Sequence, residues 1–392
     1  MHAPETVYVD DSIIPERIAP GVVLYPGVRL TGDKTSIGPK SVIGKEGPVT
    51  LDSCQLGHGV ALKGGYARGC VMLDGAEVGS GAHIRPGTII EEQAGGAHTV
   101  GFKQTILLSY VTAGSLINFC DCLMAGGTSR KNHSEVGSSY IHFNFTPHGD
   151  KATPSLIGDV PRGVLLDQPP IFLGGQGGLV GPTRIAFGVV IAAGVIQRKD
   201  ALEAGCLYGG GGAAPSRAPI PYPLGRYGAV DRLVRNNLIY YGNIQALQVW
   251  YRHVRMRMMR PDPFREACRM GALQQLDSVL KERLKRLQDL AEKMPASIEQ
   301  LKRGAGGTGS DALIAQQERF AARWPAIREE LKRPVPEGIG ADACKRFLAE
   351  WQNVQAESHV EAVRALGSDA RQAATEWLQA IVDRVAGVND HG

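Results

Sequence analysis

The 392-residue chain reads as a mainly β protein, a β-helix followed by a helical C-terminal domain, and three observations predict it. An aliphatic residue recurs every six positions through much of residues 1–212. Glycine is concentrated in the same half, with 37 of the 50 copies in residues 1–224 and 13 in 225–392. Beyond that boundary the apolar spacing shortens to three or four residues, and the charge changes with it. Residues 1–224 carry 17 Lys+Arg against 18 Asp+Glu, and residues 225–392 carry 26 against 21.

The six-residue phase is explicit at Ile18, Leu24 and Leu30, with Pro20-Gly21 and Pro26-Gly27 between them. It continues at Ile37, Ile43 and Val49, at Leu56 and Leu62, and at Val78, Ile84 and Ile90, with Gly79, Gly81 and Gly87 at the corners. A weaker copy runs through Ile185, Ile191 and Ile196. A period of six fits neither a helix nor an alternating strand. It fits a short strand plus a turn with one aliphatic side chain pointing inward, and glycine takes the corner conformations that side chains block. Three such strands make a coil, and stacked coils bury a continuous aliphatic column. The phase lapses at about 91–179, around Gly95-Gly96, Gly126-Gly127 and Thr146-Pro147-His148-Gly149-Asp150. Loop insertions are expected there, and loops on one face are where sites collect. Gly174-Gly175-Gln176-Gly177-Gly178 lacks the lysine and helix start of a phosphate loop and reads as a tight corner. Residues 213–224, with the glycines just before them, read as a Pro-rich linker.

From Val230 the pattern is helical: Val230, Leu233, Val234, Leu238, Tyr241, Ile244, Leu247 and Trp250 share one face. Further helices are predicted at about 264–293, 311–333, 341–365 and 368–386. Residues 225–286 hold 13 Lys+Arg against 5 Asp+Glu. Arg252, Arg255, Arg257 and Arg260 beside Trp250 and Tyr251 suit nucleotide stacking. The favoured reading is an amphipathic helix packed on the solenoid or a neighbouring subunit, its arginines in solvent.

Several classes fall away. The longest apolar stretches, such as Phe187–Ile196, are far too short to span a bilayer. Met1–Asp11 has neither the basic nor the apolar region of a signal peptide. Seven cysteines without framework spacing point to reduced thiols and a cytoplasmic setting. A net charge of +4 argues against a general nucleic-acid binder.

One run of segments carries more than a fold. Tyr140–Lys151 (YIHFNFTPHGDK) is followed by Pro154–Asp159 (PSLIGD) and closed by Val189–Gly194 (VVIAAG). In this order they resemble the acetyltransferase domain of bacterial bifunctional N-acetylglucosamine-1-phosphate uridylyltransferase/glucosamine-1-phosphate acetyltransferase. The resemblance is clear over about 136–200, is one of fold over 13–135, and does not reach 225–392. It implies a left-handed parallel β-helix of hexapeptide repeats, here followed by an α-helical domain at 225–392. It also implies a homotrimer with sites between subunits, acetyl-CoA as co-substrate, and an amino-sugar phosphate or nucleotide-sugar as acceptor. Asn144 matches the motif asparagine near the acyl donor, Phe145 its aromatic neighbour, and Lys151 the motif lysine after a one-residue insertion. Leu179-Val180-Gly181-Pro182 stands where the family has its "LVAP" strand. The family's pyrophosphorylase domain has no counterpart here, so no such activity is expected. Its catalytic histidine motif has no clean equivalent either. Leu107-Leu108-Ser109-Tyr110 holds that place by order without a histidine, and His133 is the other contender.

Acyl transfer to an amine needs a general base beside the nucleophile and donors for the developing oxyanion. Histidine suits the first task, and His133, His142 and His148 are the catalytic candidates. On an alternating strand His142 and Asn144 share one face, with Phe143 and Phe145 on the other. Asn144, Phe145 and Lys151 are the candidate cofactor-binding residues. Arg130, Lys131 and Tyr110 are the candidate substrate-binding residues, the cations to hold a phosphate; solvated loop charge is the competing reading of those cations. The histidines also admit a metal site like that of γ-class carbonic anhydrases. Those enzymes separate their close histidine pair by four residues, whereas His142 and His148 are separated by five, so no metal is expected. Cys120 and Cys122, on one strand face, read as core rather than as a zinc pair. The leading function is therefore acyl transfer. The alternatives are a non-catalytic sugar-nucleotide-binding or assembly protein that has lost the base, and a metal-dependent hydratase. Fold alone does not choose among them.

Overall fold

The computed structural model describes residues 3–209, 223–303 and 308–389. The linker expected at 213–224 lies outside these residues except for its last two. From Tyr8 to Tyr208 the chain winds into a parallel β-helix with three faces. The first face includes Arg29–Thr31, Gly65–Arg68, Ala82–Ile84, Ile141–Phe143 and Gly178–Val180. The second runs from Ser36–Ile37 through Cys70–Met72 and Thr88–Ile90 to Ser155–Ile157 and Arg184–Ile185. Ten strands from Val23–Leu24 to Leu207–Tyr208 make the third. Leu24, Leu30, Ile37 and Ile43 all lie in the interior, so the six-residue phase is the column of inward side chains.

The lapse at 91–179 is smaller than its sequence suggests. Coils continue without a break to Phe143, and two long strands, Gly101–Leu107 and Asn118–Met124, bend from the first face onto the second. Their corners are Gln104 and Asp121, at φ 51° and 61°; Gln93, Thr99, Tyr110 and Leu116 do the same nearby. Left-handed backbone is usually glycine's. With other residues there, the repeat is present in space but loses its marker in sequence. The insertions are an antiparallel hairpin, Gly127–Ser129 with Asn132–His133, and the loops 144–154 and 158–171, the last holding a short helix α1 (Val160–Gly163). They leave from different corners of the coil.

The bend at Asp121 also corrects the reading of the two cysteines. Cys122 is buried, while Cys120 is half-exposed on the first face beside Arg85. They do not share a face.

Helices α2 (Val230–Trp250), α3 (Met256–Met259), α4 (Pro263–Arg303), α5 (Thr308–Lys332), α6 (Ala341–Trp351), α7 (His359–Arg364) and α8 (Ser368–Ala386) follow. The helix expected at 341–365 is two helices, and α4 runs ten residues past its expected end, through Pro295. α2 and α4 lie on the second face. There the outward residues Val71, Ile89, Ile106, Leu123 and Leu156 are as buried as the interior ones. Each such side chain contributes about 1.5–3 kcal/mol. At Gly271 a Cβ would stand 2.1 Å from Gln55 Oε1 and 3.0 Å from Val71 Cγ2, so α4 lies close against this face there.

The basic segment of residues 252–260 divides: Arg252 and Arg260 are exposed as expected, whereas Arg255 and Arg257 turn into the protein. Arg255 is inaccessible between Glu91 (2.8 Å) and Glu92 (2.6 Å), and Tyr251 donates its hydroxyl to Glu91. Burial alone would raise the Glu92 pKa, but the Arg255 guanidinium brings it down to about 2. Arg257 donates to the Trp351 and Val354 carbonyls, and Trp250 packs on Phe347, Trp351 and His359. These rings and cations hold helices together and are not a nucleotide platform.

Candidate functional site

The three candidate histidines sit in three different environments. On Ile141–Phe143 the side chains alternate as expected, with His142 buried and Ile141 and Phe143 exposed. His142 is only 3% exposed. Its Nδ1 faces the Cys120 carbonyl, which only accepts, so Nδ1 carries the proton and Nε2 accepts the Ser155 hydroxyl at 2.8 Å. Burial lowers its pKa to about 4. Both nitrogens are thus used inside the solenoid, which leaves no lone pair for a substrate. His148 accepts the backbone N–H of Gly225 on Nδ1 (3.0 Å) and packs on Tyr227. In the neutral ring its proton is therefore on Nε2, and the ring ties the 144–154 loop to the start of the helical region.

His133 is different. It ends the hairpin and is half-buried. Gly126 and Gly127 (φ 104° and 101°) turn the chain outward, and a Cβ on Gly127 would meet His133 Cα at 2.6 Å. His133 Nδ1 lies 2.9 Å from the Arg130 carbonyl oxygen, so it donates there. The Nε2 lone pair makes no hydrogen bond among the described residues. A carbonyl that fixes the tautomer and leaves Nε2 basic is the arrangement a general base requires.

The hairpin borders a trough of ≈700 Å³ on the third face, lined among others by Lys63, Glu77, Gly95, His98, Thr112 and Arg130. The floor is low because Gly95 stands where other coils put a side chain; a Cβ there would be 1.8 Å from the Glu77 carbonyl oxygen. Arg130 reaches across to the Gln93 carbonyl (2.8 Å) and Thr112 Oγ1 (3.1 Å). Lys131 is exposed at the hairpin tip. Tyr110, expected to meet substrate, is instead buried at a corner, with the Arg364 guanidinium 5.4 Å from its ring centroid. Among the described residues, no group of three His, Cys, Asp or Glu side chains is placed to hold a metal ion.

The cofactor candidates lie elsewhere, at the corner between the first and second faces. Asn144 Nδ2 donates to Asp121 Oδ2 (2.9 Å), and Asp121 Oδ1 accepts from Arg283 of α4 (2.7 Å). Phe145 is 62% exposed, and Lys151 Nζ stands 5.8 Å from its ring centroid. Beside them a basic ladder climbs the first face. Arg68, Arg85 and Lys103 follow in-register residues of three successive coils, and Lys103 pairs with Cys120. Sequence reading missed this ladder, Asp121 and His98. The spacing of the ladder, one coil per step, was its available signal.

No family model matches the chain. It is similar to bifunctional protein GlmU of Geotalea uraniireducens, 28% identical over 198 residues, covering 50% of this chain and 38% of that one. The corresponding protein of Streptococcus equi subsp. zooepidemicus is 30% identical over 191 residues, covering 49% and 36%. That of Thermus thermophilus is 30% identical over 186 residues, covering 47% and 36%. The chain thus spans less than two-fifths of the length of these relatives. Similar solved structures include UDP-N-acetylglucosamine O-acyltransferase (LpxA) from Moraxella catarrhalis, at 13% identity and TM-score 0.29, covering 77% of this chain and 96% of that one. UDP-N-acetylglucosamine acyltransferase from Campylobacter jejuni, at 14% identity and TM-score 0.23, covers 76% and 94%. The sequence relatives bear out the resemblance carried by Tyr140–Asp159.

Proposed function

We propose that the chain is a hexapeptide-repeat acyltransferase that moves an acetyl group from acetyl-CoA to the amino group of an amino-sugar phosphate or nucleotide-sugar. His133 Nε2 takes the proton from the attacking amine, and the Arg130 carbonyl steadies the imidazolium that forms. In the trough, Arg130 suits a phosphate and Glu135 an ammonium group, while Lys63 is paired with Glu77 (2.6 Å) and Glu46 (3.5 Å). The first-face ladder with Lys151 suits the phosphates of the acyl donor, and Phe145 its apolar part.

The observation that carries this reading is His133, half-buried on the hairpin whose Arg130 lines the trough, with its tautomer set. The donor and acceptor candidates sit on different faces of one chain, and a ring of subunits would bring one protomer's third face to its neighbour's first. Apolar side chains are exposed on both: Phe172, Val190 and Leu207 on the third, Ile141, Phe143 and Ile196 on the first. Unlike patches that complement each other close a cyclic oligomer. The proposed assembly is therefore a homotrimer with sites between subunits.

The test is thiol release from acetyl-CoA by the purified chain, with a panel of amino-sugar phosphates and nucleotide-amino-sugars. Acceptor-dependent release is expected. No release with any acceptor, alongside saturable binding of a sugar nucleotide, would instead support a binding protein that has kept the fold.

A further inference from the structure

We infer a second binding site, for a phosphate monoester, at the end of the solenoid where the helical region begins. It shares no residue with the trough or the Asn144 corner and stands whether or not the chain transfers acyl groups. A cavity of ≈360 Å³ opens there between the last coils, the first turns of α2, and α5, with Asn389 at its edge. Four arginines converge on it from three elements: Arg184 from the coil, Arg232 and Arg235 from α2, and Arg319 from α5. Two carboxylates face them. Asp200 pairs with Arg184 and Arg232, both at 3.3 Å, and Asp231 with Arg319 at 2.8 Å.

Those pairs account for the fastening of coil to helix, but among the described residues lining the cavity they leave two positive charges in excess. Arg235 is exposed and makes no hydrogen bond or ion pair among the described residues. The positive end of the α2 dipole adds to the same field. Asn236, only 2% exposed, lines the wall. Its Nδ2 donates to Asp200 Oδ1 (2.9 Å) and the Pro182 carbonyl (3.3 Å), while its Oδ1 has no partner among the described residues.

The excess charge selects the ligand. A phosphate monoester is close to a dianion at neutral pH, whereas a carboxylate brings a single charge. Guanidinium groups match phosphate oxygens with paired hydrogen bonds. Sugar phosphates are such monoesters.

Glucose 6-phosphate is the probe, titrated calorimetrically into the full chain at fixed ionic strength, with glucose as control. Saturable binding of the phosphate ester alone is expected, weakened about tenfold or more by Arg235→Ala. Because Arg235 is exposed and makes no hydrogen bond or ion pair among the described residues, the variant should melt as the wild type does. Hydrogen exchange of wild-type residues 230–236, slowed by the ligand, reads the same site without a variant. No saturable binding, equal binding of glucose, an undiminished affinity in Arg235→Ala, or unchanged exchange over 230–236 would each overturn the site.

Discussion

The two nitrogens of a histidine decide what it can do, and His133 and His142 show the two outcomes. In His142 both are consumed inside the solenoid, and burial holds the pKa at about 4. His359 is held at about 3, by burial first and then by the nearby Arg255 charge. Both folded-state values lie below the ordinary one of about 6.5. As pH falls below 6.5 the unfolded chain therefore binds protons that the native state refuses. Stability drops by as much as about 1.4 kcal/mol per pH unit for each histidine until the native pKa is reached. Urea unfolding between pH 7 and 4.5 should show this slope, and His142→Asn should flatten it by about one histidine's share. An unchanged slope in the variant would contradict the buried neutral ring. The alternation of residues 141–145 was legible in the sequence. Which side faced inward was not, because Ser139 and Asp121 stand at left-handed corners where a glycine would have kept the phase visible.

Among elements, the second face is where coil and helix meet, and its seam was written in the sequence. Val71-Met72, Ile89-Ile90, Ile106-Leu107, Leu123-Met124 and Leu156-Ile157 are paired aliphatics, the second of each inside and the first beneath the helices. A free solenoid face needs only one aliphatic per strand, so the doubling marks the covered face. Arg255 fixes α2 to this seam. Arg255→Met leaves Glu91 and Glu92 buried without their cation and should cost roughly 3–5 kcal/mol in denaturant unfolding. A loss under 1 kcal/mol would mean the carboxylates find another partner. On the third face, Gly95→Val drives a side chain at the Glu77 backbone and should cost roughly 1–3 kcal/mol. A variant as stable as wild type would show that the trough floor yields.

At the scale of the molecule, the candidate residues divide between faces that one chain cannot bring together. The sequence placed Arg130, His133, Asn144 and Lys151 within 22 positions, yet the hairpin and the 144–154 loop leave from different corners. Nearness in sequence was misleading because each face recurs only once per coil. Light scattering should return about three times 41.9 kDa, and Phe143→Glu with Val190→Glu should lower the mass and abolish transfer together. A monomeric wild type at micromolar concentration would leave the base and the donor residues apart. If His133 is the base, the rate of acceptor-dependent thiol release by His133→Asn beside wild type reports it. A fall of about 10²–10⁴ in turnover, with oligomeric mass and melting unchanged, is the expected result; an active wild type whose His133→Asn variant keeps the full rate would contradict it.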